Sequence, residues 1–340
     1  MSYLIKPIGY ALIIWLSMML PFPEVALGAE AGQELSEKEK DLFQAVIHQR
    51  LAVVQDLISQ GVNVNVVDVK GVDSFMRGAT PLMYAAMKTT DTTSAKLKIA
   101  QLLIEHGANV NLADRNKATA LTWAASTGNL EAATLLIEKG ADVNASDGVA
   151  LAMATKNEKI DVARLLIKKG ADINAGPGSN SGSPLFFAAQ DGNAEFVKEL
   201  FDGGATLNYR GYSRITSLIA AAMQGHTDVV KLLVEHGAEA NEGDMNGMTP
   251  IMWMALANPN QGLNYRGIIE ILLNYRAEID ARDKKGMTAL MHAAKHGHKQ
   301  FVEFLVFKGA DKGATDNDGK TALDYAEDNN RDDLTNILKH

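Results

Sequence analysis

The 340-residue chain contains no cysteine. Disulfides, thiolate nucleophiles and cysteine-ligated zinc are therefore excluded, and the absence is compatible with an oxidising compartment without demanding one. Positive charge is also in short supply. The formal net charge of −8 denies the chain the basic footprint of a nucleic-acid binder. No run of like charges marks a disordered interaction tail. A nucleophile elbow of the Gly-x-Ser-x-Gly kind, a nucleotide-binding fingerprint and a paired-carboxylate signature are all missing. Long apolar runs are absent too, apart from the 13 residues Ile8 to Leu20. That run falls short of the roughly 20 residues a membrane-spanning helix needs.

The run nevertheless has a context. Lys6 precedes it, Pro21 and Pro23 break it, and Ala26-Leu27-Gly28 follows with small residues. A positive start, a short apolar stretch and a small-residue site make the layout of a secretory signal. Residues 1–28 are read as a signal peptide and 29–35 as a short linker, with no stable membrane anchor after cleavage. Cleavage leaves the net charge unchanged, because only Lys6 and Glu24 are lost. The expected location is across the inner membrane, in the periplasm.

What the remaining chain has in quantity is repetition. A glycine returns at 61, 107, 140, 170, 204, 237 and 309, with Arg276 in its place once. The phrase around it is nearly constant, as in Leu102 to Asn111, Leu135 to Asn144, Leu165 to Asn174 and Leu232 to Asn241. Steps between these points are 46, 33, 30, 34, 33, 39 and 33 residues. A period near 33 means stacked supersecondary units that bury their apolar faces only against neighbours. Each unit opens with a turn such as Asp244-Met245-Asn246-Gly247 and then Thr249-Pro250-Ile251, where Thr suits a helix N-cap and Pro its first turn. A small pair follows, for example Ala293-Ala294. Gly-His or Gly-Asn then turns the chain into a second helix with apolar residues at helical spacing, such as Val229, Val230, Leu232 and Leu233. The repeated glycine is expected to end that helix in a left-handed conformation.

Thr-Pro-Leu, Ala-Ala, Gly-His and Leu-Leu-x-x-Gly-Ala-Asp-x-Asn in register closely resemble the ankyrin repeat. The resemblance covers 36–340. It implies an all-α repeat solenoid of about nine helix-turn-helix units with β-turn or hairpin fingers. The units are placed at 36–65, 66–111, 112–144, 145–174, 175–208, 209–241, 242–280, 281–313 and 314–340. Ser36-Glu37-Lys38-Glu39 opens the first with a capping-box pattern. The acidic last segment, with eight acids against four bases from Asp311 to His340, fits a water-facing cap. Units two and seven gain six residues in the inter-helix turn, and the finger at Asp68 to Gly78 gains seven. The fourth unit is three residues short, with a stunted finger near Ser146 to Gly148.

Features that suggest chemistry are absorbed by the same frame. The Gly176 to Gly182 loop lacks the Gly-Lys-Ser/Thr ending of a phosphate loop. Asp316-Asn317-Asp318-Gly319 hints at calcium, but an EF-hand loop would need acids where Ala314 and Tyr325 stand. His292 and His296 have metal-ligand spacing but no evident third ligand. No catalytic, cofactor-binding or metal residue is therefore assigned, and the chain is read as non-enzymatic. Trp123, Trp253, Tyr84, Phe187 and Tyr325 share one position, with His292 there in the eighth unit. They are read as stacking core.

The resemblance implies a protein partner bound on a concave surface of fingers and first helices. Tyr212, Met245, Met248 and Met287 are expected to form an apolar stripe there, flanked by Lys284 and Lys285, with Phe75 and Arg77 on the long finger. Aromatic residues and Met suit interface cores. The resemblance extends to exported bacterial ankyrin proteins, and a monomeric, exported binding protein of a bacterial periplasm is the expectation. The alternatives are a secreted effector acting on host proteins and an immunity or inhibitor protein that sequesters a toxin.

Overall fold

The computed structural model describes residues 35–68, 78–88, 95–176, 182–207, 212–257 and 264–339. The signal peptide at 1–28, most of the linker, the tip of the first long finger and the two inter-helix extensions lie outside them. The described residues fall into two compact bodies, one within Pro21–Gly178 and the other within Ser179–His340. Among the described residues there are eighteen α-helices and no strands. The architecture of each body is an all-α repeat solenoid built from antiparallel helix pairs.

In the first body the pairs are α1 (Glu37–Ile47) with α2 (Leu51–Ser59), α3 (Pro81–Ala86) with α4 (Ala95–Glu105), α5 (Ala120–Thr127) with α6 (Leu130–Glu138), and α7 (Ala145–Lys156) with α8 (Ile160–Lys168). In the second they are α9 (Pro184–Asp191) with α10 (Ala194–Asp202), α11 (Ser217–Gln224) with α12 (Thr227–Glu235), α13 (Pro250–Leu256) with α14 (Tyr265–Asn274), α15 (Ala289–His296) with α16 (Lys299–Phe307), and α17 (Ala322–Asp328) with α18 (Asp332–Lys339). Within each body, first helices pack on first helices and second on second.

Local chemistry sets these boundaries. Ser183, Thr216, Thr288 and Thr321 each accept a hydrogen bond from the amide three residues on, satisfying a donor the helix start leaves open. Pro81, Pro184 and Pro250 occupy first turns, where a missing amide proton costs nothing. Ser36 and Glu39 form the reciprocal capping box. The repeated glycines follow the second helices at φ between 77° and 92°. A Cβ on any of these seven would meet nothing within 4 Å, so backbone conformation, not space, selects glycine there. Arg276 adopts the same left-handed turn at φ 64°.

The core is a row of small and aliphatic side chains repeated down each stack. Leu121, Ala124, Ala125 and Leu136 are fully buried in the first body, and Leu290, Ala293, Ala294, Val302 and Leu305 in the second. Alanine pairs let first helices approach closely, and the longer Leu and Val side chains of second helices fill the remaining space.

Polar side chains join successive units in two regular rows. The Asn that ends the glycine phrase donates to the next unit's turn carbonyl and accepts from an amide two residues later. Asn65 bridges Gly107 O and Asn109 N in this way, Asn111 bridges Gly140 O and Asp142 N, Asn144 bridges Gly170 O and Asp172 N, and Asn241 bridges Arg276 O and Glu278 N. The residue after the first-helix glycine reaches back to the preceding unit. Asn129 Nδ2 donates to Ala86 O at 3.0 Å, and His226 Nε2 and His298 Nδ1 lie 2.9 and 2.8 Å from Gln190 O and Ala255 O. These interactions give the Gly-His element a purpose beyond turning the chain: it ties neighbours together.

Candidate functional surface

Four fingers share one design, Asp-Xaa-Xaa-Xaa followed by a residue that closes the turn. The Asp amide donates to the carbonyl four residues on: Asp114 to Ala118, Asp244 to Met248, Asp283 to Met287 and Asp316 to Lys320, at 2.8 to 3.1 Å. The fourth position is left-handed, at Lys117, Gly247, Gly286 and Gly319. One carboxylate oxygen of the Asp accepts from two further amides inside the turn, as Asp283 does from Lys285 and Met287 at 2.8 and 2.9 Å. Short polar side chains that satisfy nearby amides are why Asp recurs here.

The second carboxylate oxygen takes a side chain from the first helix. Trp123 Nε1 donates to Asp114 at 3.2 Å, His292 Nε2 lies 2.9 Å from Asp283, and the Tyr325 hydroxyl donates to Asp316 at 2.5 Å. Three different residue types thus perform one task, clamping the finger to its helix. The recurring large residue read as stacking core is a hydrogen-bonding partner as well. Its constant nine-residue distance from the turn Asp was the available signal. Trp253 stands at that spacing from Asp244, but its buried Nε1 has no hydrogen-bond partner among the described residues.

Burial and the clamp hydrogen bonds together set the electrostatics. Burial pushes the Asp114 carboxyl up, against the hydrogen bonds it accepts. Burial likewise pushes the His292 ring below its ordinary range, although Asp283 pulls the other way. The Tyr325 hydroxyl holds Asp316 below the usual carboxylate range, and Tyr325 itself is pushed up to about 12. His292 and Asp316 are therefore committed to the frame. Among the described residues no group of three or more His, Cys, Asp or Glu could hold a metal ion.

Successive fingers are linked by backbone rungs. Met245 N donates to Ser213 O, Lys284 N to Asn246 O and Asn317 N to Lys285 O, at 2.8 to 3.0 Å. These bonds consume the backbone and leave the second and third side chains of each finger exposed: Arg115 and Asn116, Met245 and Asn246, Lys284 and Lys285, Asn317 and Asp318. Lys295 and His296 on α15 are exposed as well.

The structure corrects the expected apolar stripe. Met248 and Met287 are 8% and 3% exposed, whereas Met245 is 49% exposed. In these two fingers the residue after the left-handed glycine gives its amide to the Asp carboxylate and sends its side chain beneath the finger, whereas Lys320 after Gly319 stays exposed. Ala118 and Ile215 are buried at the same position, which is the apolar signature that distinguishes it from a tip. Of the residues singled out, Met245, Lys284 and Lys285 come together on adjacent exposed tips. Phe75, Arg77 and the side chain of Tyr212 lie outside the described residues.

Comparison with known proteins places the chain. A family model described as ankyrin repeats (3 copies) matches residues 42–147, 148–211, 185–283 and 262–340. A human protein, SH3 and multiple ankyrin repeat domains protein 2, is 33% identical over 157 residues. That alignment takes in 46% of this chain but only 8% of the human protein. Caps, fingers, helix pairs and inter-unit rows agree with the model match over most of the described residues, and the chain belongs to the ankyrin repeat family.

Proposed function

We propose that the chain is an exported, non-enzymatic, monomeric binding protein that holds a protein partner on its finger tips and the adjoining faces of its first helices. Ankyrin repeats indicate a protein–protein interaction module; the tips are the specific surface proposed here. The carrying observation is the division of labour inside each finger. The Asp, the left-handed residue and the residue after it serve the frame, while the two tip residues are exposed and differ from finger to finger. Solenoids present such variable positions along an extended binding surface. The groups with chemical potential, Asp114, Asp283, His292 and Asp316, are engaged in holding fingers, which favours binding over catalysis.

Affinity capture from the cell envelope, followed by mass spectrometry, tests the surface. Wild type is compared with a variant carrying Ser at Met245, Asn246, Lys284 and Lys285. A partner retained by wild type is expected to disappear from the variant while the melting transition stays in place. Equal recovery by both would rule out these tips.

Export to a bacterial periplasm is supported by Lys6, the apolar run from Ile8 to Leu20 and the small residues Ala26-Leu27-Gly28. Cell fractionation with N-terminal sequencing tests it. The expected product is a periplasmic chain beginning near Ala29, and a cytoplasmic chain retaining Met1 would refute export.

A further inference from the structure

Between Ala281 and Phe301 the chain carries five cations, Arg282, Lys284, Lys285, Lys295 and Lys299, and one carboxylate, Asp283. This is a strongly basic stretch in a chain of net charge −8. Asp283 does little to offset it from the surface side. Its carboxylate is turned under the finger, on the amides of Lys285 and Met287 and on the His292 ring. Lys284, Lys285 and Lys295 are exposed, and none of them has an ion-pair partner among the described residues. Lys295 Nζ sits 5.4 Å from the centre of the Tyr325 ring, a contact that orients the ammonium without neutralising it. The Arg282 guanidinium donates to the Thr315 carbonyl and also keeps its charge.

The platform under these cations is ordered before any partner arrives. Lys284 N is bonded to Asn246 O on one side, and Lys285 O accepts from Asn317 N on the other. Asn317 Nδ2 adds a bond to Lys284 O at 3.0 Å. Pre-ordered backbone lowers the entropic cost of binding. One finger away, joined through the Asn246 rung, stands Met245 with half its surface exposed. Exposed Asp318 follows on the next finger, so the basic field has a boundary.

We propose that this surface takes a short, extended, carboxylate-rich segment of a protein partner, with its acids on Lys284, Lys285 and Lys295 and an apolar side chain on Met245. The proposal rests on the protein-binding reading above and adds the partner's chemistry. Charge complementarity selects the occupant, since what these three ammonium groups lack is a carboxylate. A nucleic acid is disfavoured by the same map: its continuous line of phosphates would run onto Asp318 and the acidic segment that follows.

The probe is a fluorescein-labelled peptide in which Glu and Asp flank a central Leu, paired with its Gln and Asn counterpart. Fluorescence anisotropy with the full chain is read at low and at physiological ionic strength. The acidic peptide is expected to bind at least about 10-fold more tightly than the amide peptide, with the difference shrinking as salt rises. The double variant Lys284→Glu, Lys285→Glu should lose at least about 10-fold, and Met245→Ser about 3-fold, with unchanged melting transitions. Equal affinity for the two peptides, or an unaffected double variant, would overturn the proposal. Displacement of the acidic peptide by a short DNA duplex of equal affinity would overturn it too, in favour of a general polyanion site. A photo-crosslinking residue at position 245 separates this proposal from its parent. A cross-linked protein whose capture ignores Lys284→Glu, Lys285→Glu removes the acidic partner and keeps protein binding. No cross-link from positions 245, 246, 284 or 285 removes both.

Discussion

In the eighth unit, Asp283 to Met287 forms a full finger: a carboxylate knots the turn, His292 clamps it, and Lys284 and Lys285 stand out from it. In the fourth unit the corresponding chain is cut short. Near the start of α7, Ser146, Asp147 and Gly148 pass through three successive left-handed conformations, at φ 55°, 61° and 76°, and the right-handed part of the helix follows at once. Glycine is required at 148, because a Cβ there would stand 2.3 Å from that of Ala175. Yet the inter-finger rung survives in altered form: the Ser146 hydroxyl donates to Lys117 O at 2.6 Å, where the eighth unit uses the Lys284 amide. What the fourth unit gives up is the clamp and the tip pair. The rung therefore belongs to the stack, and the tips are an addition that the stack can do without. That separation is the physical basis for the proposal that the tips carry recognition.

Removing the knot should have the largest effect. Asp283→Ala deletes the oxygen that accepts from two amides and strands the His292 ring, for a loss of about 3 kcal/mol in urea denaturation. Asp147→Ala touches only an exposed carboxylate in a left-handed turn and should cost under about 1 kcal/mol. Equal losses would break the comparison. Within the seventh finger the contrast is between core and tip. Met248→Ser should cost about 3 kcal/mol through the cavity and buried hydroxyl it creates, while Met245→Ser should stay within about 0.5 kcal/mol. Shifts of similar size in the two denaturation midpoints would mean that Met245 is packed, and the tip assignment would fall.

The frame was legible in the sequence because its constraints are local. A Thr-Pro start, an alanine pair and a glycine that must turn left-handed each leave one residue type at one spacing. The stunted fourth finger was legible for the same reason, as three missing residues. Met248 and Met287 were misplaced because composition alone ranks Met as an interface residue. Their burial depends on how the chain leaves the left-handed glycine, and only the matched Ala118 and Ile215 hint at it. The Asp283–His292 clamp was overlooked because its two halves, each explicable alone, meet only after the finger folds onto α15. The bridging role of Asn65, Asn111, Asn144 and Asn241 was hidden likewise, since each partner lies in the next unit.

A smaller effect is expected at the repeated glycine. Arg276 holds a left-handed conformation that glycine adopts freely, and the space around the seven glycines in this place is open. Arg276→Gly should therefore stabilise the second body by about 1 kcal/mol, and Gly237→Ala should destabilise it by a similar amount. If Arg276→Gly destabilises instead, the arginine side chain makes a contribution that outweighs its backbone strain.

The smallest effect is a pH dependence that separates the clamps by residue type. Burial lowers the His292 pKa, with the Asp283 hydrogen bond opposing, and burial lowers that of His298 as well. The folded protein then binds these protons less readily than the unfolded chain, whose histidines titrate near about 6.5. Their contribution to stability is complete above that pH and is lost as pH falls through the folded-state values. Trp123 shows that an indole N–H reaches the same carboxylate without titrating. His292→Trp should keep the finger in place and flatten the fall in Tm between about pH 7 and pH 5, leaving the share due to His298. Parallel curves for wild type and His292→Trp would show that the histidine clamp takes up no proton in this window, and that the eighth finger is held in the same manner as the third.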